Sequence, residues 1–208
     1  MKRTTDKPKL FVYKIKVDSG GAPCVRKGLL TLAICKPLIR SAANAGDWIF
    51  GFGSNELDNR LIYVAEVTEK LCNGLYYGKV FSGRPDAIYR WKGDQLRPKR
   101  NRLYHRGIKD PERDIGVFAH YKRANVLLSR KYRYFGKERY DYSVGLRQFI
   151  RSIGRGHRCR ISAHRRAQLE DLRKRVWREW KKTGRPTHAA PADRQSVCHA
   201  DAGSCVLK

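Results

Sequence analysis

From Leu61 to Val67 the sequence reads LIYVAEV, so an extended chain there is apolar on both faces. Such a segment is a central strand of a sheet and not a half-solvated edge. The stretch that leads to it, AGDWIFGFGS over 45–54, has a strand's period of two. Trp48, Phe50, Phe52 and Ser54 share one face, and Asp47, Ile49, Gly51 and Gly53 share the other. The aromatic face belongs to the core. Glycine weakens a strand interior, so Gly51 and Gly53 point to a bulge, or to a surface that a packed element or a flat ligand approaches closely.

Around these strands the other elements can be placed. Leu10–Val17 reads as a first strand, with Phe11, Tyr13, Ile15 and Val17 inward and Lys14 and Lys16 outward. DSGGAPCVRKG is a loop. KPLIRSAANAG then makes a short helix, with Pro37 at its first position, Gly46 just past its end, and Leu38, Ile39 and Ala42 buried. Residues 71–116 are irregular and rich in Gly, Pro and Arg, and ANVLLS is a further strand. RKYRYFGKE continues that strand or turns away from it. Val144, Leu146, Phe149, Ile150 and Ile153 follow helical spacing up to Gly154. A second helix runs over 163–182 with Leu169, Leu172, Val176 and Trp180 on its apolar stripe and Ser162 as its cap.

This order predicts an α+β fold: a compact mixed or antiparallel sheet, a short helix early in the chain and helices at the C-terminal end. The 208 residues suffice for one core. The expected organisation is an N-terminal arm over 1–9, a single α+β domain over 10–182 and a disordered tail over 183–208.

Forty-six Lys and Arg stand against 19 Asp and Glu, a formal net charge of +27, which favours a polyanionic partner, nucleic acid first among them. Fourteen Lys or Arg between 147 and 185 face only Glu170, Asp171 and Glu179. Concentrating that charge is costly unless phosphate offsets it, so Arg165, Arg166, Arg173, Lys174 and Arg175 are read as phosphate contacts. Arg155, His157 and Arg158 surround the glycines of IGRGHRCR, where backbone amides can approach a phosphate or the glycines simply stop the helix. Lys36 and Arg40 suggest an anion site at the start of the short helix, or a pair that simply faces solvent. Lys131 and Arg133 alternate with Tyr132 and Tyr134, an arrangement that suits base stacking with backbone contacts, or simple packing of the tyrosines. No run approaches the length of a membrane span, and the N-terminus lacks the apolar centre of a signal peptide, so a cytoplasmic protein without a membrane partner is expected.

Enzyme signatures are sparse. The chain has no GxSxG, Walker loop or zinc-deaminase pattern. Asp18, Asp47, Asp94 and His157 are the candidates for acid or base chemistry, although Asp beside Gly is common in turns. The six cysteines, 24, 35, 72, 159, 198 and 205, contain no CxxC pair, and Cys198, His199 and Cys205 lie in the polar tail. No metal and no cofactor is expected.

The segments LFVYKIKVDSGGAP, LTLAICKPLIR, GDWIFGFGS, RLIYVAEVTE, KGDQL, VLLSRKYRYFG and IGRGHR, in this order, resemble the nucleotide modification associated domain 2 family of bacteria and phages. The resemblance covers most of residues 10–160. It implies an α+β domain associated with DNA base modification and assigns no catalytic residue. The chain departs from the family's pattern after the first loop's Ala-Pro, where it has Cys24, Val25 and Arg26. The Gly-Asp turn into an aromatic strand looks like that of the small PUA and ASCH barrels, which bind RNA or modified bases. On that analogy Gly51 and Gly53 clear space for a base. The leading expectation is a nucleic-acid-binding protein, with DNA as ligand and other DNA-modification proteins as partners, acting in base modification or in recognition of modified DNA. The alternatives are an enzyme that modifies or removes a base or nucleotide, and a basic structural component of a ribonucleoprotein.

Overall fold

The computed structural model describes residues 7–105, 111–138, 140–154 and 156–180. Within them the chain runs β1 (Leu10–Ile15), β2 (Cys24–Arg26), β3 (Leu29–Leu32), α1 (Pro37–Ala42), β4 (Trp48–Gly53), β5 (Leu61–Glu66) and β6 (Glu69–Leu71). It continues through β7 (Tyr89–Lys92), β8 (Gln95–Pro98), α2 (Glu112–Ile115), β9 (Val126–Ser129), β10 (Lys131–Tyr134), α3 (Val144–Ser152), β11 (His157–Arg158) and α4 (Ala163–Glu179).

The fold is α+β, built from two stacked sheets and a hairpin. A five-stranded sheet has the order β10-β5-β4-β1-β11, and a four-stranded sheet the order β2-β3-β9-β6. β1 and β4 are parallel, with Leu10 opposite Trp48 and Ile15 opposite Gly53, whereas β4 and β5 are antiparallel. As its composition demands, β5 is an inner strand. The register of β4 against β5 shifts between Gly51 and Phe52, the bulge that the glycines foretold. The larger sheet ends on β10 and β11, so the described residues form no closed barrel and the PUA-like analogy stops at the local turn.

Three apolar layers follow from the two-residue period. Leu10, Val12, Trp48, Phe50 and Phe52 face α3 and α4, meeting Leu146, Ile150, Leu169, Leu172 and Val176. Phe11, Tyr13, Ile15, Ile49, Tyr63 and Ala65 face the smaller sheet and meet Leu30, Leu32 and Leu127. The far side of that sheet, with Leu29, Val126 and Leu128, is covered by Tyr76, Tyr77, Tyr89, Leu96 and Tyr121 from the irregular middle segment. β1 is thus buried on both faces, where one outward face was expected.

Two serines cap the C-terminal helices. The Ser143 hydroxyl accepts the Leu146 amide and the Ser162 hydroxyl accepts the Arg165 amide. The middle segment, with little regular structure, is organised by buried carboxylates. Asp86 accepts from the Tyr76 hydroxyl at 2.9 Å and from the Thr31 hydroxyl, and Arg84 lies 3.4 Å away. The segment also holds the β7–β8 hairpin, whose turn is Gly93-Asp94. No helix among the described residues is long and apolar enough to cross a membrane. Residues 1–6 and the tail expected over 183–208 lie outside the described residues.

Candidate functional site

The glycine face of β4 is occupied by protein. A Cβ on Gly51 would stand 2.3 Å from Cε1 of Tyr63 and 2.8 Å from Cδ1 of Ile15, and one on Gly53 would stand 2.6 Å from Cβ of Leu57. The glycines therefore seat Tyr63 and Leu57, and the space expected for a base is filled. Tyr63 turns its hydroxyl to that of Tyr13 at 3.0 Å. Burial pushes both phenols above their ordinary range, so both stay neutral.

A polar cluster gathers around this tyrosine pair. Asp18, which follows β1, is buried and accepts from the Tyr134 hydroxyl at 2.6 Å. Burial raises the Tyr134 hydroxyl, and the negative Asp18 raises it further. Cys35 and Asp18 lie near enough to Tyr13 to add, after burial and Tyr63, to the rise of its hydroxyl. The Cys35 Sγ lies 3.1 Å from Nε2 of His105. Tyr104, next to His105, lays its ring against Gly21 and donates its hydroxyl to the Ser19 carbonyl at 3.3 Å.

A lysine and a histidine flank this cluster. Lys36 Nζ lies 5.4 Å from the Tyr13 ring centroid. His157 pairs with Tyr13 in the sheet, and its ring centroid is 6.0 Å from that of Phe11. Burial lowers its pKa first, and the neighbouring cations Lys36 and Arg158 lower it further, so the ring is neutral at pH 7. Two residues singled out from remote segments, Lys36 and His157, thus meet at Tyr13, whereas Arg158 is paired with Val12 and so lies on the other face of the sheet.

The backbone there is strained. Cys35, Lys36 and His105 have φ of 57°, 45° and 56°, in the left-handed region that costs a non-glycine residue about 1 kcal/mol or more. Guanidinium groups hold two of these corners: Arg40 Nε donates to the Cys35 carbonyl at 2.8 Å and Arg102 Nε to the His105 carbonyl at 3.0 Å.

Other predicted residues are employed elsewhere. Arg40 was expected to meet an anion and is instead fully buried, while Leu38 is 38% exposed and Ala42 is on the surface. The guanidinium turns inward because it finds acceptors on every side. Besides Cys35, it donates to the carbonyls of Ala33 at 2.8 Å, Asn125 at 2.9 Å and Asp114 at 2.8 Å, and to the Asp114 carboxylate. Both Asp47 oxygens accept backbone amides, from Lys9 at 2.9 Å and Asn44 at 2.8 Å, which is the work of a turn and not of a catalyst. Asp94 is exposed in the β7–β8 turn, away from the cluster.

Tyr134 is buried and bonded to Asp18, so it offers no stacking face; Tyr132 is half-buried, and Lys131 pairs with Glu66 at 3.3 Å. Arg133 and Arg173 clamp an aromatic pair. Arg133 lies 4.7 Å from the Trp177 ring, Arg173 lies 4.6 Å from the Trp48 ring, and the two indoles meet at 5.0 Å. On α4, Arg165 donates to the Gly145 carbonyl at 2.9 Å, Arg166 pairs with Glu170 at 2.8 Å, and Arg175 lies 5.6 Å from the Tyr140 ring. Of the five basic residues read there as phosphate contacts, Lys174 is the exposed one; the other four are half-buried and cap the core. Arg155 lies outside the described residues.

Sequence reasoning missed Cys35 and His105, seventy positions apart and in no motif. It also missed the hairpin, whose exposed Trp91 stands between Arg90 and Lys92. The two-residue Gly93-Asp94 step between alternating residues was the signal for that hairpin.

A family model described as nucleotide modification associated domain 2 matches residues 7–196. Searches of the curated proteins and of the solved structures return no match.

Proposed function

The chain belongs to the nucleotide modification associated domain 2 family, and on that premise we propose that it binds nucleic acid, with DNA as the ligand, and acts in the cytoplasm in base modification or in recognition of modified bases. Other DNA-modification proteins are its natural partners in that setting. The observation that carries the reading is the meeting of Lys36 and His157 at the buried Tyr13–Tyr63 pair, with the Asp18–Tyr134 pair on the same face of the sheet. Cations at a rim can hold a phosphate, and donors and acceptors beneath them can address the base attached to it. The net charge of +27 supplies the long-range attraction.

Binding of single-stranded and duplex oligodeoxynucleotides is expected to weaken steeply with salt, by a slope of about −0.9 in log K against log salt for each duplex phosphate neutralised. Lys36→Gln should weaken all sequences alike and flatten that slope by about 1. Fluorescence anisotropy over a salt series measures both. Affinity independent of salt would remove the nucleic-acid reading, and an unchanged slope in the Lys36 variant would move the phosphate contact away from this lysine.

A further inference from the structure

We propose that Cys35 and His105 form a nucleophile–base pair and that its substrate is a pyrimidine base; the identity of the substrate rests on the nucleic-acid reading above, whereas the pair itself does not. Sγ and Nε2 stand at 3.1 Å, a reach that allows the thiol proton to pass to the ring. His105 is 8% exposed, and its Nδ1 has no hydrogen-bond partner among the described residues. When Nε2 accepts from the thiol, Nδ1 carries the ring proton and becomes a buried donor in need of an acceptor. A carbonyl of a bound ligand supplies one.

The pair is also fixed in place. Both residues adopt left-handed backbone conformations, and each carbonyl is gripped by an arginine of its own segment, Arg40 for Cys35 and Arg102 for His105. Such strain persists where the surroundings over-determine it. The other described thiols differ. Cys24 is buried, and burial pushes its thiol up to about 12, where it is inert. Cys72 is half-exposed like Cys35, and no histidine bond is seen for it among the described residues.

The chemistry of sulfur selects the target. A thiolate is a soft nucleophile that adds to a conjugated carbon, and in a pyrimidine that carbon is C6, conjugated through C5 to the C4 substituent. The thiol proton passes from Sγ to Nε2, Sγ forms a bond to C6, and the electron pair of the C5=C6 double bond moves to C5. C5 then takes the proton back from His105. Reversal breaks the sulfur–carbon bond, restores the double bond and returns one C5 proton to the pair. Nothing is oxidised or reduced and no co-reactant is consumed; the base leaves with its C5 hydrogen exchanged with solvent. Lys36, which follows Cys35 and lies at the Tyr13 ring, positions the phosphate of the same nucleotide.

The full chain is treated with limiting iodoacetamide and the labelled cysteines are mapped by mass spectrometry, with Cys72 as internal reference. Cys35 is expected to react about tenfold faster than Cys72, the effect of a thiolate fraction raised about tenfold. His105→Gln should bring it down to the reference rate while circular dichroism stays unchanged. In D2O, dCMP, dUMP and a cytosine-containing oligodeoxynucleotide should each gain one mass unit at C5 with the wild-type chain and none with Cys35→Ser. If His105→Gln fails to fold, the wild-type comparison with Cys72 and the exchange assay decide the matter without it. Labelling of Cys35 at the Cys72 rate would overturn the pair. Fast labelling with no exchange, and no protection by dCMP or oligonucleotide, would overturn the pyrimidine. Exchange on dCMP by a protein that does not bind oligonucleotides would sustain this inference and remove the nucleic-acid reading instead.

Discussion

Arg40→Met is expected to destabilise the fold by about 3–5 kcal/mol, because it leaves the Asp114 carboxylate buried without its cation. Arg40 is fully buried, and its donors reach the carbonyls of Ala33, Cys35, Asn125 and Asp114 as well as that carboxylate. The other Asp114 oxygen accepts from the Tyr89 hydroxyl at 3.1 Å, so one guanidinium joins the β3–α1 connection, α2 and the residue before β9 to α1, and through Asp114 it reaches β7. Met fills the volume but donates nothing, and four carbonyls lose partners together with the charge. Arg40→Lys keeps the charge but not the fork, and is expected to fall between the two. Urea denaturation followed by circular dichroism measures the loss. Arg40→Met combined with Asp114→Leu should recover part of it, since the uncompensated charge is then gone. A stability of Arg40→Met within about 1 kcal/mol of the wild type would show that the network is dispensable.

Gly51→Val is expected to cost about 3 kcal/mol or more through overpacking. Its first side-chain atom would stand 2.3 Å from the Tyr63 ring, in a strand whose six residues are all buried. The ring cannot move away without giving up the 3.0 Å contact with the Tyr13 hydroxyl. Gly51→Ala combined with Tyr63→Leu should be more stable than the sum of the single changes predicts, by about 1 kcal/mol or more, because the smaller side chain makes room. Thermal melts of the four proteins report that coupling. Additive behaviour would mean that the glycine is not there to seat the tyrosine.

Both results concern residues that the sequence presents in one light and the structure in another. Gly51 was legible as a place of close approach, and it is one; what approaches is Tyr63, from the neighbouring strand, and no pattern in β4 says so. The period that separates Trp48, Phe50 and Phe52 from Gly51 and Gly53 is intact, as are the inner position of β5 and the Ser162 cap. Those features are written in local spacing. Arg40 inverts α1 because its acceptors come from residues 33, 35, 114 and 125, an assembly that local spacing does not encode. The candidate site divides in the same way. Lys36, Asp18 and His157 stood out by residue type and neighbouring glycines, whereas Cys35 and His105 become notable only once folding sets them 3.1 Å apart, and Arg158, which stood out with them, lies on the other face of the sheet.

The position of β1 also governs the order in which the molecule can assemble. This strand lies between β4, parallel to it, and β11, whose Arg158 and His157 pair with Val12 and Tyr13. Its second neighbour therefore leaves the ribosome about a hundred and forty-five residues after the strand itself. Until then one edge of β1 is an open row of amides and carbonyls, which can template the wrong strand. Non-local pairing of this span slows folding, and the β1–β11 step is expected to close late. His157 reaches Tyr13 and Lys36 in that same step, so a nascent fragment that stops short of residue 157 carries the tyrosine pair and Lys36 without that imidazole.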